Sequence, residues 1–427
     1  MGDPERLINR RDAAFGAGAP LFYDEPLHIV RGEGVYLFDA DGKRYVDLYN
    51  NVPGVGHANP RVTEAVSSQM ATLNVHSRYI HQSAIAFAER FTALHTLGIE
   101  SVVFSCSGTE ANEVAIRMAR IATGHEGIIC SNGAYHGNST LLSMLTHVGR
   151  TRPETETVRA FPFPDLYRPI QPGLDPDQFC ELYLSAVSDK IKELKNSTAG
   201  FAGLVVCSIF ANEGLPNLPP HFMAKCRDLV HAAGGLMIVD EIQAGYGRTG
   251  RWWGYETSGF TPDIVTTGKA MGNGVPLAAT AASRKLVETF RAATRYFNTF
   301  AASPLQAAAG MAVLDVVEQE NLIEHAAVIG SWLKAELASR IALSPVVGDV
   351  RGQGLFVGVE IINPDDGSPA QETAVRICNR LKDKGFLTSS AGVLRNVIKI
   401  RPPLVLERVH GEGFLAAWDA VMENVSA

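Results

Sequence analysis

The sequence predicts an α/β fold: a mostly parallel sheet with helices on both faces, carrying a smaller α+β unit. Three observations carry this reading. Strand-like and helix-like segments alternate from about residue 100 to 285, the pattern of successive parallel βα units. Two apolar runs about one βα unit apart, 236–239 and 264–265, end in Asp240 and Glu241 and, through a Thr-Thr-Gly turn, in Lys269. In an open α/β sheet such strand ends share the edge where ligands collect. The C-terminal part, VVGDVRGQGLFVGVEI onward, mixes strands, a helix near 370–385 and turns, and reads as a small α+β unit.

The elements follow in order. Residues 1–30 read as an irregular arm, because the prolines of PLFYDEPLHIV break helix. GVYLFDADGKRYVDLYNN is a hairpin around Asp41 and Gly42. Residues 50–58 are a glycine-rich loop, and helical periodicity returns at 60–73 and 82–97. A strand at 102–106 leads into Ser107-Gly108-Thr109, where a helix opens with Glu110 and Glu113 near its start. GIICSNGAYHG is the next strand and loop, and 152–176 is a proline-rich excursion without assigned structure. Helices at 177–196 and 220–234 flank the strand in GFAGLVVCSIF; AATAASRKLVETFRAA is a strand then a helix. One long helix is expected from 304 to 340, and NVIKIRPPLVL and a closing helix end the chain. The expected organisation is 1–50 as arm and part of the small domain, 51–310 as the large domain, and 311–427 as the C-terminal small domain.

Composition excludes several classes. The chain is 46% hydrophobic and 19% charged with a net charge of −7, which gives no basic footprint for nucleic acid. No apolar run approaches the ~18 residues of a membrane span, and MGDPERLINRRD lacks the apolar core of a secretory signal, so a cytoplasmic protein is expected. The six cysteines include no CxxC pair and read as reduced buried thiols. The twelve histidines form no HxxxH or HxH pair, so no metal is expected.

Lys269, on a turn with Gly268, Gly272 and Gly274, suits carbonyl chemistry by Schiff base, and Asp240 could hold a cofactor's ring nitrogen. Ser107, Gly108 and Thr109 at a helix start form either an anion site or a plain N-cap. Tyr135 and His136 lie on a loop after a strand, where the tyrosine could stack on a planar ring or simply pack. Residues 245–250, GYGRTG, match the dinucleotide fingerprint, but four residues separate them from the strand end and RWWGYETSG has no helical period, so the phosphate cradle is missing. Lys399 and Arg401 share one parity of a strand and could bind a carboxylate or phosphate or be surface charge; Arg351, Arg395 and Arg78 carry the same ambiguity.

These pieces occur in an order that resembles the class III aminotransferases: LFDADGKRYVDLYNN, SGTEANEVAIRMAR, AYHG, VDEIQAGYGRTG, TTGKAMGNGVP, NTFAASP and VRGQGLFVGVE. The resemblance implies pyridoxal-phosphate (PLP) fold type I, with a mostly parallel seven-stranded sheet and a small domain built from both termini. It implies that Lys269 carries PLP as a Schiff base, Asp240 pairs with the pyridine nitrogen and Gln243 bonds the phenolic oxygen. Tyr135 would stack on the ring, with His136 beside it. Ser107, Gly108 and Thr109 would seat the cofactor phosphate, and Thr299 would reach that of a neighbouring subunit, in a homodimer or tetramer. Tyr49, Arg78, Tyr79, Glu213, Arg395, Lys399 and Arg401 are the candidate substrate contacts. There are departures: Ser208 and Ile209 stand where many relatives have Glu-Pro, Lys399 where 2-oxoglutarate enzymes have arginine, and Ala301-Ala302-Ser303-Pro304 for Gly-Gly-Asn-Pro. LYNNVPGVGHANP, HSRYIH and GKAMGNG look most like a branch holding alanine–glyoxylate-type aminotransferases and phospholyases of phosphorylated amino alcohols. The expected activity is transfer of an amino group from an amine or amino acid to a 2-oxo acid such as pyruvate, by ping-pong half-reactions on Lys269. The alternatives are a PLP phospholyase and, more remotely, a nicotinamide oxidoreductase or a non-catalytic binding protein.

Overall fold

The computed structural model describes residues 4–148, 153–423 and 425. The chain opens with helix α1 (Pro4–Phe15) and strands β1 (Ile29–Glu33), β2 (Tyr36–Asp39) and β3 (Arg44–Asp47), followed by α2 (Pro60–Thr72) and α3 (Gln82–Ala93). The alternating section then runs β4 (Ser101–Ser105), α4 (Gly108–Thr123), β5 (Ile128–Ser131), α5 (Thr140–Met144), β6 (Val158–Phe161), α6 (Pro176–Lys195) and β7 (Gly203–Cys207). It continues with α7 (Phe222–Ala232), β8 (Leu236–Asp240), β9 (Ile264–Thr267), β10 (Ala278–Ala282) and α8 (Arg284–Ala293). Helices α9 (Pro304–Gln319) and α10 (Leu322–Ser339) lead to β11 (Val347–Gln353), β12 (Phe356–Ile361), α11 (Gln371–Asp383), β13 (Phe386–Leu387), β14 (Ser389–Ala391), β15 (Val397–Ile400) and α12 (Arg408–Met422).

Among the described residues a seven-stranded sheet has the order β4-β10-β9-β8-β7-β5-β6, with only β10 antiparallel to its neighbours. Its central strands are apolar runs buried on both faces, as a helix-covered parallel sheet requires. Helix α4 joins β4 to β5 and passes under β10, β9 and β8 on the way. Its apolar stripe Ala111, Val114, Ala115, Met118 and Ala119 faces the sheet; Ser107 caps its start and Gly124, at φ 71°, ends it. Two further four-stranded sheets have the orders β1-β2-β3-β13 and β11-β12-β15-β14, and β13 pairs with β3, so sequence-distant ends share one sheet. No helix among the described residues is long and apolar enough to cross a membrane.

Four expectations need correction. The arm at 1–30 contains α1, because its prolines at 20 and 26 lie beyond the helix and only Pro4 stands at its start. The excursion at 152–176 contains β6, whose pairing to β5 supplies what local composition did not signal; Arg152 lies outside the described residues. The helix at 82–97 stops at Ala93. The helix expected over 304–340 is two, broken at Glu320 and Asn321; Asn321 sits at φ 51°, a left-handed conformation that asparagine tolerates and a continuous helix does not.

Candidate active site

Four strand ends deliver the groups. β8 ends in Asp240, β9 leads to Lys269, β4 leads to the Ser107–Thr109 turn, and β5 leads to Tyr135 and His136. All line one cavity of about 140 Å³, together with Gln243. The structure places all the cofactor candidates except Thr299 around this one cavity.

Three donors converge on Asp240. Asn112 Nδ2 donates to Oδ2 at 2.9 Å, His136 Nδ1 meets the same oxygen at 2.8 Å, and the Ile242 N–H reaches Oδ1 at 3.0 Å. Asn112 also donates to the His136 carbonyl and accepts from Thr266 Oγ1 on β9. It is fully buried and was missed; its signal was an asparagine on the apolar stripe of a helix, where a polar group must have partners. The His136 Nε2 is buried and has no partner.

Lys269 is half-buried with φ 41°, a left-handed backbone that aims its side chain from the turn after β9. Burial lowers its pKa first, and Arg401 lowers it further, against Asp240 and Cys207. An amine that neutralises easily is the form that attacks a carbonyl. At Gly108 a Cβ would lie 2.5 Å from Ile242 Cδ1, so any larger residue would displace that side chain. The second acid, Glu241, is not in the cavity. Its carboxylate accepts the Gly254 and Tyr255 N–H groups at 2.7 and 3.0 Å and so braces the glycine loop, with burial raising its pKa to about 7.

Gln243 donates from Nε2 to Asn212 Oδ1 at 3.0 Å and accepts from Arg401 Nη1. Arg401 also donates to the Tyr49 carbonyl and lies 4.4 Å over the Tyr49 ring. Lys399 is buried 5.6 Å above the Phe356 ring, and its pKa falls well below the usual value through burial and then Arg401. Lys399 and Arg401 are thus interior groups, not surface charge. Glu213 is buried beside them and makes no ion pair with Lys399; Ser131 donates to its Oε1 and the Asn212 N–H to its Oε2. Arg351 is a strut, paired to Glu360 at 2.6 Å. Arg395 lies exposed on a turn, and Arg78 lies exposed over the Phe297 ring. Thr299 and Tyr79 line a separate, largely apolar cavity of about 580 Å³.

A model of the class III aminotransferase family matches residues 22–421. The chain belongs to this family. It has the PLP fold type I, and PLP is its cofactor. The Lys269 amine, the Asp240 carboxylate, the exposed Tyr135 ring and the N-terminus of α4 fit that group: an aldehyde, a pyridine nitrogen, a planar face and a phosphate each find a matching partner. The chain is 34% identical over 419 residues to an alanine–glyoxylate aminotransferase 2-like protein of Drosophila melanogaster, covering 96% of this chain and 85% of that one. It is also 34% identical to an ethanolamine-phosphate phospho-lyase homolog of Caenorhabditis elegans, covering 94% and 89%. Among solved structures it is similar to an Arthrobacter phospholyase in complex with phosphoethanolamine, at 39% identity and TM-score 0.94 over 98% and 99% of the two chains.

Proposed function

We propose that the chain is a PLP-dependent lyase that releases inorganic phosphate from a small phosphorylated amino alcohol of the phosphoethanolamine kind. One observation carries this reading. Lys399 and Arg401 are buried near Lys269, and neither makes an ion pair among the described residues, although Glu213 lies in the field of Lys399 and Asp47 in that of Arg401. A phosphomonoester brings about two negative charges near neutral pH, which suits two cations better than a single carboxylate does. The likeness to the Arthrobacter phospholyase and to the nematode phospho-lyase homolog supports the same choice. The sequence points first to a transaminase; the cation pair is what favours the lyase.

When bound, PLP supplies an electron sink for the carbon bearing the amine. Around it, Asp240 holds the ring nitrogen's proton, and Asn112 and His136 hold Asp240 in place. Tyr135 would cover one ring face, and Ser107, Gly108 and Thr109 would seat the cofactor phosphate. Gln243, its amide oriented by Arg401 and Asn212, would offer its remaining N–H to the phenolic oxygen. Lys269 Nζ takes the proton from the amine-bearing carbon. Lys399 and Arg401 hold the departing phosphate as its bridging oxygen gains charge. With that proton on Lys269, the C–O bond of the neighbouring carbon would break and phosphate leave, and one water would complete the balance to an aldehyde and ammonia.

The test is phosphoethanolamine with holoenzyme and no oxo acid, expecting phosphate and ammonia in equal amounts. Alanine formed from pyruvate and an amine panel, without phosphate release, would overturn it. That outcome is the second reading, a transaminase, which the relatives named alanine–glyoxylate aminotransferase and the buried Glu213 beside Lys399 favour. Lys269→Ala should abolish the borohydride-sensitive visible band and bring either activity to background while the protein stays folded. We also propose a homodimer: Tyr79, Ile80 and Phe300, 65%, 93% and 74% exposed, give an apolar face around Thr299 that a second copy would cover.

A further inference from the structure

We propose that Arg248 is a positioning residue: from the glycine run 245–250 it locks the segment carrying Arg401 against the one carrying Gln243, and so keeps the Gln243 amide aimed at the cofactor. The proposal rests on the PLP site, and it is the same for a lyase and for a transaminase.

Arg248 turns inward from the run, is 1% exposed and makes no ion pair among the described residues. Its Nη1 donates to the Leu355 carbonyl at 3.0 Å and to the Pro402 carbonyl, and its Nε donates to Asn51 Oδ1 at 3.1 Å. The Leu355 N–H returns a bond to the Arg248 carbonyl at 3.0 Å. At Gly354, φ 53°, a Cβ would lie 2.5 Å from that same carbonyl oxygen, so the β11–β12 turn sits tightly on the run. These bonds close a ring. Asn51 Nδ2 donates to the Gln243 carbonyl at 3.1 Å. Arg401 Nη1 donates to the Gln243 side-chain oxygen, and Pro402, held by Arg248, follows Arg401 in the chain. The Arg401 N–H bonds to the Leu48 carbonyl at 2.7 Å, which ties the same exit of β15 to the segment bearing Asn51. Gln243 is thus gripped at its backbone through Asn51 and at its side chain through Arg401, and Arg248 joins the two arms. The planar fork of arginine reaches two carbonyls and an amide at once; lysine has a single nitrogen. Burial and then the charge of Arg401 lower the Arg248 pKa to about 9, against Asp47. A cation buried at that cost without an ion-pair partner is retained for what it holds. When its guanidinium is lost, the exit of β15 shifts, Arg401 releases Gln243, and the amide turns away from the phenolic oxygen.

The experiment follows the visible band of the holoenzyme against pH. A donor at the phenolic oxygen favours the deprotonated form of the bound cofactor, so its loss raises the midpoint of the band's transition. Arg248→Lys should raise that midpoint by ~0.5–1 unit, the scale of one hydrogen bond. Asn51→Ala, which opens the ring elsewhere, should do the same, and combining the two should add little. In a Gln243→Ala background Arg248→Lys should cause no further shift. Tyr246→Phe, on the same run but outside the ring, should keep the wild-type midpoint, since the Tyr246 hydroxyl has no partner to lose. A lower urea midpoint in Arg248→Lys with an unmoved band would make the residue purely structural and overturn the proposal. An equal shift with and without Gln243 overturns it too. If Arg248→Lys does not fold, Asn51→Ala decides, and an unmoved band there is equally fatal. None of these readouts involves phosphate release, so the lyase reading can fail with the Arg248 assignment intact, and the reverse.

Discussion

Arg351 and Lys399 stand in one cross-strand row of the small sheet, on either side of Gly358, and both are buried. Their surroundings are opposite. Arg351 donates to Glu360, to Asp349 and to the Gly214 carbonyl, and Glu360 also accepts from Arg168 and Asn396. Lys399 has no such set: Glu360 is already saturated, Glu213 is turned to Ser131, and the group beside it is the Phe356 ring. A buried cation matched by acids ties segments together. A buried cation left unmatched destabilises the fold through desolvation and makes sense where a ligand supplies the missing charge. Two positively charged residues of one row thus divide between structure and function, and the acids around them decide which is which.

The largest expected effect tests the structural side. Arg351→Ala leaves Glu360 buried against a lost partner and should cost about 3–5 kcal/mol in urea unfolding. Arg351→Met with Glu360→Leu should recover part of that loss, because the central buried pair is removed together while Arg168, Asn396 and Asp349 each lose one partner. Lys399→Met should show no comparable loss. Equal destabilisation by Arg351→Ala and Lys399→Met would erase the distinction. The next effect tests the functional side. Lys399→Met should weaken inorganic phosphate by about ten- to a hundredfold in holoenzyme calorimetry, the range of one charged hydrogen bond. Arg351→Lys, judged on its folded fraction, should leave that affinity within about twofold.

The two residues also show what the sequence could convey. Their strands were legible from alternation, and their family positions from VRGQGLFVGVE and the run before Pro402. Their roles were not, because each depends on charged groups that only the fold brings close: Glu360 comes from the next strand, and Arg168, which shares Glu360, and Glu213, in the field of Lys399, arrive from separate loops. The same limit explains the other results. Asp240, Lys269 and the Ser107–Thr109 turn were readable because strand ends and helix starts place them locally. Asn112 was not, because its partners Asp240 and Thr266 meet it only after α4 crosses the sheet. β6 was hidden in a proline-rich stretch for a like reason, since its strand character comes from pairing with β5. The break at Asn321 was locally visible in principle, yet apolar periodicity continues on both sides of it and masked the change of axis.

The smallest effect separates the two charges by pH. Glu360 has a folded pKa below its ordinary value, chiefly through Arg351 working against burial. The unfolded chain therefore binds its proton first, so the Glu360 contribution is present above the ordinary carboxylate range and is lost as pH falls through the lower folded value. Lys399 has a folded pKa well below its ordinary 10.5, through burial and then Arg401. Between the two values the unfolded chain again holds more protons, so stability rises with pH across that interval, and below it the penalty is complete. Melting temperatures of wild type and Lys399→Met, which share Lys269, isolate this contribution. The variant should melt a few degrees higher at pH 7.5, and the gap should close as pH approaches 10. Saturating phosphate should narrow the gap at pH 7.5 as well, by giving Lys399 its counter-ion. A gap that stays constant with pH, or a variant that melts lower throughout, would mean that Lys399 is matched in the folded protein and belongs with Arg351.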